Sequence, residues 1–406
     1  MFSATQSKLK AVLSVLENQH LDAETIMLNC SELFRKSSSK KIEDIVMVLQ
    51  KYNVDIAIIE QCTTLLVKNS AQEMNDVLAV LQDHFSASYL NIVHACPYIL
   101  ARGKAVEIRA IKQELGENYN SLISACPSIL AHGKASDIRD IKEILGDDSD
   151  RLISACPYIL AGGKATEIKA IKKELHEYYD NLIFACPTIL ALGKATEIRA
   201  IKQELGDSYN SLILECPSIL AYGKASEIRA IKDILGTDYD RLISACPIIL
   251  AQGSASEIKS IKETLGADYE SLVSACPTIL AKGSASEIKS IKEILGADYE
   301  SLVSACPTIL AQGKATEIKK MKEQLMQDFN GLAKDIIQQC PSIFAFCSVK
   351  KMNYLKAKLG IEKYKQIVCA MPTILKITDE EELERLINKY SENISDDSKV
   401  NNQPIY

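Results

Sequence analysis

Apolar positions along this chain repeat every 30 residues, in copies starting at Pro97, Pro127, Pro157, Pro187, Pro217, Pro247, Pro277 and Pro307. In one copy Leu152, Ile153 and Ala155 supply the apolar side of DRLISAC, and Pro157 then interrupts the run. Proline lacks a backbone donor and disfavours helix in the residue before it, so a first helix is expected to end there. Ile159 and Leu160 make a short apolar turn, and Gly163, like Gly103 and Gly133, permits a tight connection. A second helix is expected from about Lys164 to Leu175, with Ile168, Ile171 and Leu175 at i, i+3 and i+7 as one buried stripe. Gly116, Gly146, Gly206, Gly236, Gly266 and Gly296 stand where that helix stops, as C-cap residues, and His176 replaces the glycine once. Nothing alternates with period two, so no sheet is expected.

The pattern continues beyond the regular copies. Cys30 precedes Ile42, and Cys62 precedes Met74, by the same interval that separates Cys96 from Ile108; these two segments lack the proline and hold Lys36 and Lys68 at the position that in the regular copies lies between the fixed Ala and the fixed Gly. At the other end Cys340-Pro341 leads to Phe346, and Met371-Pro372 leads to Ile377. The expected fold is therefore all-α, a superhelical α-solenoid of about twelve two-helix repeats, whose terminal units drift because each has only one neighbour. Residues 1–95 would hold an N-terminal capping helix and two degenerate repeats, 96–336 the eight regular repeats, and 337–390 two degenerate C-terminal repeats. Residues 391–406 form a polar tail expected to be disordered.

Composition agrees with a packed repeat array. Hydrophobic residues are 47% and charged residues 25%, enough apolar material for a continuous core. No apolar run approaches the roughly 18 residues a bilayer span needs. The first sixteen residues lack acids and carry two lysines but no arginine and no cleavage pattern, which fits a capping helix rather than a transit peptide. A soluble protein is expected, in a reducing compartment such as cytoplasm or nucleus, with an organelle or translocation into another cell also open. The thirteen cysteines support the reducing compartment. Nine of them (Cys96, Cys126, Cys156, Cys186, Cys216, Cys246, Cys276, Cys306 and Cys340) directly precede the repeat proline. Equivalent positions in stacked helices lie about 8–10 Å apart, beyond the roughly 7 Å a disulfide spans. No zinc-type spacing occurs, so the thiols are expected to be small packing residues and no cofactor is expected.

The formal net charge of −6 works against a nucleic-acid ligand, but distribution matters more than the sum. In the copy starting at Pro127, Lys134, Arg139 and Lys142 follow the connection, while Asp147, Asp148 and Asp150 follow Gly146. Stacked copies would then show one basic and one acidic edge. The plainer reading is a solubilising surface of mixed sign.

One position breaks the regularity. Between the fixed Ala and the fixed Gly stand Arg102, His132, Gly162, Leu192, Tyr222, Gln252, Lys282 and Gln312, seven residue types in eight copies. Neighbouring positions supply the control: two residues after the variable one is Lys or Ser, then always Ala, and the acid before the repeat Ile is always Glu or Asp. The copies starting at Pro247 and Pro277 differ at only three of thirty positions, one being Gln252 against Lys282. Drift at an exposed site is the simple explanation; diversified recognition explains the contrast better. Lys104, Lys134, Lys164, Lys194, Lys224 and Lys314 stand at the second helix's start, with Ser254 and Ser284 in the other two copies. Free amides at a helix start attract anions, and a lysine beside them suits a phosphate. The residue after each proline (Tyr98, Ser128, Tyr158, Thr188, Ser218, Ile248, Thr278, Thr308) also varies, as a secondary contact or a helix-start position. His20, His84, His94, His132 and His176 have no repeat-locked partner, so catalysis is not expected.

The frame Leu-Ile-x-x-Cys-Pro-x-Ile-Leu, with Ile at the eleventh residue after proline and a Leu-Gly stop, resembles the mitochondrial transcription termination factor repeat over roughly residues 25–390. That resemblance implies a superhelix that binds nucleic acid. This chain departs from it in a shorter second helix, a rigid 30-residue period and an acidic balance. The string from Gly162 to Ile168 (variable residue, Gly, Lys, helix) is similar to the TAL effector repeat, in which a variable loop residue reads one DNA base. The leading expectation is thus a modular nucleic-acid-binding monomer, with double-stranded DNA favoured over RNA. The eight variable residues would contact bases, Arg and Lys reading guanine and Gln adenine, and the six lysines would hold phosphates. Base pairs rise about 3.4 Å against about 8–10 Å between stacked helices, so one residue per base needs strong superhelical winding. A protein-interaction solenoid, adaptor or effector, with the same residues on its binding surface, is the alternative.

Overall fold

The computed structural model describes residues 2–30, 32–377 and 379–389, and the polar tail expected after about Tyr390 lies outside them. The fold is an all-α solenoid, with no strand among the described residues. The chain divides into two compact units, Met1–Gln203 and Glu204–Tyr406, and the division falls within the run of regular copies.

Each regular copy contains three helices rather than the expected two. In one copy these are a seven-residue helix Tyr119–Ala125, a short helix Ile129–His132 and an eleven-residue helix Ala135–Leu145. The first ends at Cys126, whose φ −142° and ψ 77° leave the helical region as a residue before proline must. Proline then starts the short helix with its pre-set φ, −60° at Pro187. The short apolar turn expected at Ile159 and Leu160 is this post-proline helix, Ile159–Gly162. Four residues are too few to show a 3.6-residue period, which is why the pattern suggested only a turn.

In the unit Met1–Gln203 two ladders run through the stack. Long helix Ala105–Leu115 packs on Ala135–Leu145, which packs on Ala165–Leu175, while post-proline helices Tyr98–Arg102, Ile129–His132, Ile159–Gly162 and Thr188–Leu192 pack on one another in order. The unit Glu204–Tyr406 repeats both ladders, from Ala225–Leu235 to Ala315–Phe329 and from Ile219–Tyr222 to Ile343–Phe346. The predicted stripe is buried: Ile168 and Ile171 are fully enclosed and Leu175 nearly so. At the N-terminus the expected capping helix is Phe2–Asn18, which lies against Ser39–Lys51 through buried Val12 and Leu16.

Two kinds of glycine hold the period. After six of the long helices a glycine adopts a positive φ, 59° at Gly146, and a short 3-10 turn follows. The glycine after the post-proline helix is extended instead, with φ −68° and ψ 155° at Gly133. There the need is space: a Cβ on Gly133 would lie 3.0 Å from the Leu160 carbonyl of the next copy and 2.6 Å from the Ile129 carbonyl. All thirteen cysteines are free thiols. Several bond the residue after the proline, as in Cys126 to Ser128 at 3.1 Å and Cys186 to Thr188 at 3.0 Å. Burial pushes the Cys96, Cys156, Cys246 and Cys306 thiols up, as packing residues require.

Candidate functional site

Each variable residue is the last residue of its post-proline helix, not part of a loop as expected. Arg102 closes Tyr98–Arg102, His132 closes Ile129–His132, and Gly162, Leu192, Tyr222, Gln252, Lys282 and Gln312 close the equivalent helices. All eight are exposed. The Ile-Leu pair ahead of each is buried, as at Ile129 and Leu130, where Ala131 is nearly covered too. The two post-proline ladders therefore present these residues in rows, Arg102 to Leu192 in one unit and Tyr222 to Gln312 in the other. Neighbours in a row are close. A Cβ on Gly162 would stand 3.2 Å from the carbonyl of Ala191, the residue before Leu192. Partial burial, and then the charge of Arg102, hold the His132 imidazole below its ordinary pKa, so it is neutral at pH 7.

The lysine two residues on is the N-cap of the long helix, extended at φ −128° and ψ 137° for Lys134. Lys104, Lys134, Lys164, Lys194, Lys224 and Lys314 are exposed, and no carboxylate of the described residues forms an ion pair with them. The first amides beside Lys134, Lys194 and Lys314 are not free. Glu107 of one copy accepts the Ala135 N–H of the next at 2.5 Å, and Glu167 accepts that of Ala195 at 2.6 Å. In the second unit Glu227, Glu257 and Glu287 do the same for Ala255, Ala285 and Ala315, at 2.8, 2.5 and 2.6 Å. In these five copies a carboxylate already occupies the place a phosphate would take on the first amide, so any phosphate contact beside Lys134, Lys194 and Lys314 falls to the lysine side chain. Asp137, one methylene shorter than these glutamates, makes no such bond.

Basic residues further along the long helix have structural tasks. Arg139 pairs with Glu114 of the preceding copy, and Arg199 with Glu174 and Arg229 with Glu204 at 2.8 Å each. These arginines hold the Glu114 and Glu174 carboxyls below the usual carboxylate range. Lys142 donates to the Glu114 carbonyl at 3.1 Å. Lys112, Lys172, Lys232, Lys262 and Lys292 sit over the rings of Tyr119, Tyr179, Tyr239, Tyr269 and Tyr299, 5.2–5.9 Å from the centroids. Of the expected basic edge, Lys134 forms no ion pair among the described residues, while Arg139 and Lys142 hold copies together. The acidic counterpart is exposed: Asp147, Asp148 and Asp150 follow the far end of the long helix. An eleven-residue helix puts about 16 Å between that end and Lys134.

Two features escaped the sequence. The interlocking glutamates appeared there only as a fixed acid before the repeat Ile; that constancy was the available signal. The other lies at the residue after the proline, four before the variable one and so on the same face of the short helix. The Arg102 guanidinium lies 5.5 Å from the centroid of the Tyr98 ring. At Gly162 the Tyr158 ring takes the space, since a Cβ there would meet its Cε1 at 2.8 Å.

Among the described residues no helix is long and apolar enough to cross a membrane, and no group of His, Cys, Asp and Glu is placed to hold a metal ion. No family model and no curated protein matches this chain.

Proposed function

We propose that this protein is a modular nucleic-acid-binding solenoid, with double-stranded DNA the favoured ligand and the row residues Arg102, His132, Gly162, Leu192, Tyr222, Gln252, Lys282 and Gln312 facing bases. The observation that carries this reading is the coincidence of diversity with position. The one position that changes type in nearly every copy is exposed in all eight, at the same point of the same short helix, two residues after a buried Ile-Leu pair. Two residues on, the unpaired lysines supply cations at the spacing of the copies, as backbone contacts that position without specifying. Lys104, Lys134, Lys164, Lys194, Lys224 and Lys314 take that role through their ammonium groups alone. The acidic net charge is then carried elsewhere, on the turns after the long helices and in the interlocking glutamates.

Selection from random duplex and single-stranded oligonucleotide pools tests this. A recovered consensus is expected, and His132→Arg should shift one of its positions toward guanine while leaving the rest. A bidentate arginine–guanine contact discriminates by about 1–3 kcal/mol. Failure to enrich any sequence, or a His132→Arg consensus identical to wild type, would overturn the proposal. The second reading, a protein ligand, is favoured by Leu192 at 40% and Tyr222 at 50% exposure in the same rows. It predicts binding that barely responds to salt.

A further inference from the structure

The residue directly after the repeat proline behaves in two distinct ways. Where it is small and hydroxylic it turns inward: Ser128, Thr188, Ser218 and Thr278 bond Cys126, Cys186, Cys216 and Cys276 at 3.0–3.2 Å. Where it is tyrosine it runs outward along the short helix. Tyr98 and Tyr158 keep 40% and 43% of their surface exposed, although a large aromatic ring gains by burial. Each ring meets the variable position four residues on. Tyr98 lies beneath the Arg102 guanidinium, and Tyr158 fills the space beside Gly162 that a side chain would otherwise take. Gly162 is the one copy without a variable side chain, and a tyrosine stands there in its stead.

We propose that the post-proline residue is a second specificity position, and that in the copy starting at Pro157 the Tyr158 ring takes over from Gly162 as the contact to a base. This rests on the nucleic-acid reading above and deepens it. The contact is apolar in either form of ligand: the methyl of thymine in a duplex, or the face of an unpaired base in a single strand. In the first copy the same arrangement restrains Arg102, because a guanidinium held over a ring has fewer orientations to lose on binding. A recognition unit is then a pair of residues at i and i+4: Tyr98 with Arg102, Tyr158 with Gly162. In copies with a small post-proline residue the variable side chain reads alone.

The test compares wild type, Tyr158→Ser and Ser128→Tyr in selections from random duplex and random single-stranded DNA pools. Serine already stands at this position in the copies starting at Pro127 and Pro217, so Tyr158→Ser keeps the fold. Tyr158→Ser should flatten base preference at one consensus position and weaken binding to the wild-type consensus by roughly tenfold. Ser128→Tyr should sharpen or change preference at the adjacent position, beside His132. Enrichment from the duplex pool points to the thymine methyl, and from the single-stranded pool to base stacking. A wild-type consensus that Tyr158→Ser leaves unchanged in sequence and affinity overturns this proposal alone. No consensus for wild type in either pool overturns the nucleic-acid reading and this proposal with it.

Discussion

The long helices at the ends of the chain begin on their own serines, whereas five of those in the regular copies begin on a neighbour's glutamate. Ser38 accepts the Lys41 N–H and Ser348 that of Lys351, and Ser70 forms a full capping box with Glu73. In the regular copies the N-cap is usually lysine and makes no side-chain cap; even Ser254 and Ser284 turn away to bond Ser256 and Ser286. A capping side chain is worth about 0.5–2 kcal/mol. The regular copies recover it from Glu107, Glu167, Glu227, Glu257 and Glu287, reaching across from the preceding copy. The helix starting at Val349 has both devices, Ser348 and Glu317, and so marks the seam. In those five copies, then, capping has passed to the neighbour, which frees the N-cap side chain of the capping task. At three of those five positions, Lys134, Lys194 and Lys314, stands a lysine.

The largest effect should come from removing N-cap lysines. Lys134, Lys164 and Lys194 changed together to Ala should cut the salt slope of nucleic-acid binding by about 0.9 for each phosphate no longer held, about 2.7 in all. Between about 50 and about 200 mM salt the wild type should therefore lose about 40-fold more affinity than the variant. The thermal midpoint should stay close to wild type, since the three side chains are exposed and form no ion pair among the described residues. The matching change of Lys172 and Arg199 to Gln should do the reverse, lowering stability and sparing the salt slope, because one sits over Tyr179 and the other pairs with Glu174. Equal salt slopes for the two variants would erase the distinction between free and structural cations.

A smaller effect sharpens the capping contrast. Glu257→Ala should cost about 1–2 kcal/mol, because the half-buried Ala285 N–H loses a charged acceptor. Ser70→Ala should cost about 1 kcal/mol at the N-terminal end. Ser254→Ala, at the same N-cap position in a regular copy, should change stability by less than about 0.5 kcal/mol. Denaturant midpoints of the three variants measure this. A Ser254→Ala cost equal to that of Ser70→Ala would show that regular copies cap their own helices after all.

What could be read from the residues was what depends on near neighbours in the chain. The stripe of Ile168, Ile171 and Leu175, the break before Pro157 and the glycine stops all follow from short-range sterics and periodicity, and each appears in the structure. The bond from Ala135 to Glu107 joins residues 28 apart and exists only once the copies are stacked in register. The same holds for Arg139 and Glu114, 25 apart, so a charge map drawn along the chain could not separate pairing arginines from free lysines. Recognition of the variable position needed no register, only comparison among copies. Its exposure at a helix end, and the Tyr158 ring over Gly162, needed the coordinates.

The smallest effect concerns the turn after the long helix. Glycine holds it in six regular copies, with φ between 53° and 59°, where a side chain is strained. Ser86 and Asn330 hold it beside the degenerate units, at φ 48° and 47°, after long helices extended to fifteen residues. His176 is the exception inside the regular run, with φ 46° and ψ −121° after an ordinary eleven-residue helix. Its side chain is exposed, so replacing it forfeits no buried contact. Such a backbone costs about 1–3 kcal/mol for a residue with a Cβ, and glycine gives back about 0.5–1 kcal/mol through its looser unfolded chain. His176→Gly should therefore stabilise by about 1 kcal/mol, seen as a higher urea midpoint with an unchanged m-value. A neutral or lower midpoint would mean that His176 makes a compensating interaction, and that this copy had departed from its neighbours for a reason other than drift.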